Sequence, residues 1–170
     1  MKKRYYGLIV MMSAMVLTMC SKTETVEEGT LLVDGLGESE KTVVDATEIE
    51  AELLDLVNQH RASIGTTKLQ SSPSSYKYAK DHNQYMISQN ELSHDNFELR
   101  ASKIAAEINA VDVSENVARH YATAEAALDG WLKSSSHKKS IEGNYSHTAL
   151  SVQLDKDGRP YFTQIFMKVN

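Results

Sequence analysis

Six histidines, one cysteine and a run of three serines are the residues of this chain with most chemistry to offer. Cys20 stands alone, which excludes an internal disulfide, a CxxC redox pair and a cysteine-built zinc site. Ser134-Ser135-Ser136 directly precedes His137 and raises the idea of a serine nucleophile with an imidazole base. A base next in sequence rarely points at its neighbour, and no Gly-x-Ser-x-Gly elbow exists, so a polar helix-end loop is the better reading. His60 and His82 fall on inward helical stripes and read as packing residues, and His120 and His147 read as surface or strand residues. Neutral imidazoles bind zinc, copper or nickel, but no His-Glu-x-x-His pattern sets two of them on one helix face. Phosphate loops and dinucleotide fingerprints are absent, so nucleotide chemistry is not indicated.

The elements that must position these groups fill one domain. The chain has 170 residues, enough for a single core without disulfides or structural metal. Its 18 basic and 23 acidic residues give a formal charge of −5, which argues against a nucleic-acid partner. Met1-Lys2-Lys3-Arg4 and the apolar run Leu8 to Met19 fit a signal peptide, since the run is too short to span a bilayer comfortably. Residues 21–46 carry seven acids and three glycines and read as a flexible tether with a reach of roughly 28 Å. Leu31-Leu32-Val33 and Val43-Val44 are its only candidates for docking.

From Thr47 the pattern is regular. Thr47 and Glu50 read as a capping box for a first helix carrying Ile49, Leu53, Leu56, Val57, His60 and Ile64 inward. Ser72-Pro73 opens a second helix, with Tyr78, Ala79, His82, Tyr85, Met86 and Gln89 inward. Asp95 and Glu98 suggest a capping box for a third, bearing Phe97, Ala101, Ile104, Ala105 and Ile108. Thr123 opens a fourth, with Trp131 at the centre of an apolar stripe. Val111 to Ala118 reads as a strand, and an Asp-Gly turn joins Leu150–Leu154 to Tyr161–Lys168 as a terminal hairpin. Helices first and a hairpin last favour an α+β layered domain over a parallel doubly wound sheet.

Two resemblances add to this reading. Leu17-Thr18-Met19-Cys20 resembles the lipobox of bacterial lipoproteins, with Met19 in place of the usual small residue. It implies a lipoprotein signal peptide over 1–19, a lipidated Cys20 heading a tether over 20–46, and a domain over 47–170. It also implies export to a bacterial cell envelope and membrane anchoring on a periplasmic or cell-surface face. Further along, Asn58 with Arg61, Leu69, Ala79 and Met86, Leu92-Ser93-His94, Glu115-Asn116-Val117-Ala118, Trp131 through His137, and Tyr161 to Phe166 occur in the order seen in the CAP superfamily. The likeness is to its cysteine-poor, bacterial SCP-like branch. Three positions depart from the family pattern: Ser136 replaces a glycine, Ala149-Leu150-Ser151-Val152 replaces a Gly-Val-Gly element, and Ser134 stands where many eukaryotic members have a second glutamate.

The resemblance implies a three-layer α-β-α sandwich with a cleft that gathers His94, Glu115 and His137, with Ser134 beside them. Two functions follow as expectations. One is an envelope-anchored binding module for a lipid, a peptide or an envelope glycan, with possible divalent-metal binding. The other is a metal-dependent peptidase with zinc or a similar ion on His94 and His137 and Glu115 as ligand or general base. A hydrogen-bonded His–Glu–His network without any ligand is the structural alternative.

Overall fold

The computed structural model describes residues 45–170. The expected signal peptide, Cys20 and nearly all of the tether lie outside the described residues. Helix α1 (Ala46–Ser63) begins one cap earlier than the Thr47–Glu50 pattern predicts. Asp45 is the N-cap, and its carboxylate accepts from the N–H groups of Thr47 and Glu48 at 2.8 and 3.4 Å. Glu50 is thereby released from capping and reaches the sheet, where Oε2 accepts from the Val152 N–H at 2.9 Å. A two-residue strand β1 (Gln70–Ser71), too short for any alternation to show, leads into α2 (Pro73–Gln89). Pro73 sits in the first turn, as its missing N–H allows.

Helix α3 (Phe97–Ile108) also differs at its start. Asn96 is the N-cap, in the left-handed region at φ 59°, and Asp95 instead accepts the Tyr85 hydroxyl at 2.7 Å. Strand β2 (Ala110–Arg119) follows, then α4 (Ala124–Lys133), capped as expected by the Thr123 hydroxyl on the Ala126 N–H. The serine run is not a loop. Ser134 is extended and acts as C-cap of α4 and N-cap of a further helix, α5 (Ser135–Glu142), whose one buried residue is Ile141. One buried position in eight leaves no periodicity to read. Strands β3 (His147–Leu154) and β4 (Pro160–Val169) form the terminal hairpin, with Gly158 at φ +76° in its turn.

The sheet is mixed, in the order β1-β3-β4-β2, with β1 parallel to β3 and the other pairs antiparallel. Alternation along the strands divides the core in two. Leu150, Val152, Phe162 and Phe166 pack with Leu53, Val57, Trp131 and Ile141 of α1, α4 and α5. Ala149, Ile165 and Met167 pack with Ala79 and Ile104, while Val117 and Tyr161 pack with Met86, so α2 and α3 cover the other face. The architecture is therefore the expected three-layer α+β sandwich. Burying each Leu53- or Phe162-sized side chain contributes about 1.5–3 kcal/mol.

Three polar side chains, Asn83 and Arg61 buried and Asn58 partly so, pin the layers. Asn58 exchanges two bonds with the Leu69 backbone, at 3.1 and 2.7 Å. Asn83 donates to the Ser151 carbonyl and accepts from the Thr163 hydroxyl, fixing α2 to β3 and β4. Arg61 donates to the carbonyls of Thr67, Ile141, Gly143 and Tyr145, holding the turn after α5 against α1.

Candidate functional site

Two asparagines in the left-handed conformation, Asn90 at the end of α2 and Asn96 before α3, turn a short loop over β2. The loop carries His94, whose side chain is half exposed and whose Nδ1 lies 2.9 Å from Glu115 Oε1. Glu115 sits in the middle of β2 with its side chain only 1% exposed. A carboxylate so deeply buried needs a countercharge, and Arg100 of α3 supplies it. Its Nε donates to Oε2 at 2.8 Å and its Nη2 to Oε1 at 2.8 Å, a fork on a fork, while Nη1 donates to the Asp95 carbonyl.

His82 lies beneath this group. Its Nε2 is 2.8 Å from the Ser93 carbonyl and 3.7 Å from Glu115 Oε1. A carbonyl can only accept, so Nε2 carries the proton. Burial holds the His82 pKa below the ordinary histidine range, with the charge of Glu115 pulling the other way. The ring also stacks on Tyr85 at 6.0 Å. A neutral His82 therefore braces the loop that presents His94.

His137 enters from the opposite layer, in the first turn of α5. The Asn116 amide donates to its backbone carbonyl at 3.0 Å. Its half-buried ring has a pKa lowered first by burial and then by the positive charge of His94, so the two imidazoles share one electrostatic neighbourhood. Ser134 Oγ lies 3.1 Å from Ser136 Oγ, and neither hydroxyl bonds the His137 ring. A groove of about 220 Å³ runs beside His137, walled by Leu92, Val117, Tyr121, Trp131 and Ser134. Trp131 is core as well as wall, since its indole N–H donates to the Val117 carbonyl. A Cβ on Gly130 would lie 2.2 Å from the Tyr121 hydroxyl oxygen, so any larger residue there would displace Tyr121 from the groove wall.

The structure thus joins His94 to Glu115 directly and sets His137 and Ser134 in the adjoining groove. Sequence reasoning missed Arg100 and the contact of His82 with the carboxylate. A signal for Arg100 existed: it lies four residues before Ile104 on an otherwise apolar stripe, where a charge demands a buried partner.

The donor set does not fit a divalent ion built around Glu115. Both of its oxygens are bonded to a guanidinium, so an added dication would sit beside a fixed positive charge. Among the described residues, no group of three or more His, Cys, Asp or Glu side chains is arranged to hold a metal ion.

Comparison with known proteins places the chain. The sequence model of the CAP, or cysteine-rich secretory protein, family matches residues 54–166. The chain is 33% identical over 148 residues to the uncharacterized membrane protein YlbC of Bacillus subtilis. That match covers 85% of this chain and only 42% of the relative's length. The fold is similar to that of an outer surface protein from Borrelia burgdorferi, with TM-score 0.67 and 18% identity, over 75% of this chain and 97% of the other. It is also similar to an extracellular protein of Bacillus anthracis containing an SCP domain, with TM-score 0.64 and 22% identity, over 72% and 41% of the two chains. At these identities the solved structures establish fold alone.

Proposed function

Since the chain belongs to the cysteine-rich secretory protein family, we propose that it is a non-enzymatic, extracytoplasmic binding module tethered to the cell envelope by lipid on Cys20. The cleft of His94, Glu115 and His137 is its ligand face, open to a lipid, a peptide or an envelope glycan. The observation that carries this reading is the bidentate hold of Arg100 on Glu115. A general base must be free to take a proton, and a metal ligand must offer a lone pair. Freeing Glu115 would mean dismantling a buried ion pair, at about 3–5 kcal/mol. The peptidase reading draws no support from a carboxylate held this way. Names given to relatives, an extracellular protein and an outer surface protein, support export.

The test uses the full chain purified in detergent. Phospholipid vesicles, peptidoglycan fragments and random peptides are titrated against wild type and the His94→Ala/His137→Ala variant. Saturable binding by one class, weakened tenfold or more in the variant at an unchanged urea midpoint, is the expected result. Absence of saturable binding by all three would overturn it. For the anchor, Cys20→Ser should move the protein from the detergent phase to the aqueous phase on cloud-point partition.

A further inference from the structure

The backbone of β2 carries its own information about the ligand. The His120 N–H donates to the Pro160 carbonyl at 2.7 Å, and the register then pairs Ala118 with Phe162, Asn116 with Gln164 and Ser114 with Phe166. Hydrogen-bonded pairs recur every second residue in an antiparallel ladder, so even-numbered residues of β2 commit their N–H and C=O to β4. Val113, Glu115, Val117 and Arg119 turn theirs outward, because β2 is the last strand of the sheet among the described residues. The Val117 carbonyl is taken by the Trp131 indole at 3.2 Å. Among the described residues, the N–H and C=O of Glu115 and the N–H of Val117 have no protein partner. Residue 115 is 8% exposed although its side chain is 1% exposed, so what solvent reaches there is main chain.

This stretch of edge lies where the cleft lies. His94 bonds the Glu115 side chain on one side, and Asn116 holds the His137 backbone on the other. Outward N–H and C=O groups spaced two residues, about 6.8 Å, apart are complemented by another extended main chain. An acyl chain has no donors to offer, and a glycan does not repeat them at that spacing. The apolar groove beside Val117 is sized for one aliphatic or aromatic side chain of such a segment.

We infer that the ligand of this cleft is an extended peptide segment of another protein, which adds to the outer edge of β2 at Glu115–Val117 and seats one apolar side chain against Leu92, Val117 and Trp131. The assignment rests on the binding-module reading and narrows it to one ligand class.

The probe is a random dodecapeptide library selected against the full chain in detergent. The most enriched peptide is then synthesised with each backbone amide N-methylated in turn and titrated by fluorescence anisotropy. Alternate methylations near the apolar anchor should weaken binding tenfold or more, and intervening ones less than twofold. Val117→Pro removes the outward N–H together with the Val117 packing on Met86, and where it folds should cost at least a similar factor. Should that variant not fold, the methylation scan decides alone. A flat scan in a peptide still dependent on His94 and His137 overturns strand addition and leaves the binding module standing. Lipid or glycan binding without peptide enrichment overturns the peptide assignment only. Binding by none of the three classes overturns both.

Discussion

Arg61 and Arg100 are both buried, and they are buried in opposite ways. Arg61 meets four backbone carbonyls and no carboxylate. Its pKa is lowered by burial with nothing to offset it. Arg100 meets a carboxylate, and that carboxylate also bonds an exposed histidine at the cleft. One arginine closes a chain reversal by gathering dipoles; the other neutralises a charge that the cleft must keep out of water. The difference teaches where to look for function, since the second is joined through its carboxylate to a half-exposed imidazole at the cleft.

The sharpest way to break the comparison is to remove each guanidinium. Arg61→Met strands the buried Ile141 carbonyl and three partly buried ones, at up to about 1–3 kcal/mol each, and should cost about 4 kcal/mol in urea unfolding. A loss under about 1 kcal/mol would mean that the turn holds itself. Arg100→Met leaves Glu115 charged and unpaired and should cost about 3–5 kcal/mol. Here the partner can be removed too, so Arg100→Met/Glu115→Met should recover most of that loss. If the double variant is no more stable than the single, the pair is not the unit described.

Glu50 supplies a third case, a half-buried carboxylate with no ion pair among the described residues. Burial raises its pKa above the ordinary 4.5, against the pull of the Val152 N–H and the Tyr76 hydroxyl. As pH rises, the unfolded chain loses this proton before the folded one, so ionisation favours unfolding. The stability of wild type relative to Glu50→Gln should therefore fall as pH rises above the ordinary carboxylate value of 4.5, by less than either arginine effect. A difference independent of pH would show that Glu50 is solvated. The smallest effect concerns His137. Its NMR titration should lie below the ordinary value of 6.5 and move up in His94→Ala, because a neighbouring positive charge is removed. The sign for stability is the reverse of that for Glu50: unfolded His137 binds its proton first as pH falls, so stability is lost on acidification through that range. No movement in the variant would separate the two imidazoles.

Much of the fold was legible because the periods were clean. The stripes through Leu53 and Val57, Ala79 and Met86, and Ile104 sit in the core where helical spacing puts them. Caps were harder, since Asp45 and Asn96 compete with the residues that spacing alone selects. β1 and α5 escaped for physical reasons: one is two residues long, and the other buries only Ile141. In the site, motif order pointed to His94, Glu115 and His137. The role of Arg100 depends on α3 crossing β2, a relation between residues 15 apart that no local pattern records.

The strand order has a last consequence, for the time at which this domain can exist. Among the described residues β4 is the final element, yet it lies inside the sheet and is the only strand that joins β2 to β3. Phe162 and Phe166 fill one core while Ile165 and Met167 fill the other. A chain delivered from its N-terminus, by a ribosome or through a membrane pore, therefore has helices to form early but no sheet to lay them on. Folding waits for residues 160–169, and until they arrive the chain stays in a state that can be threaded.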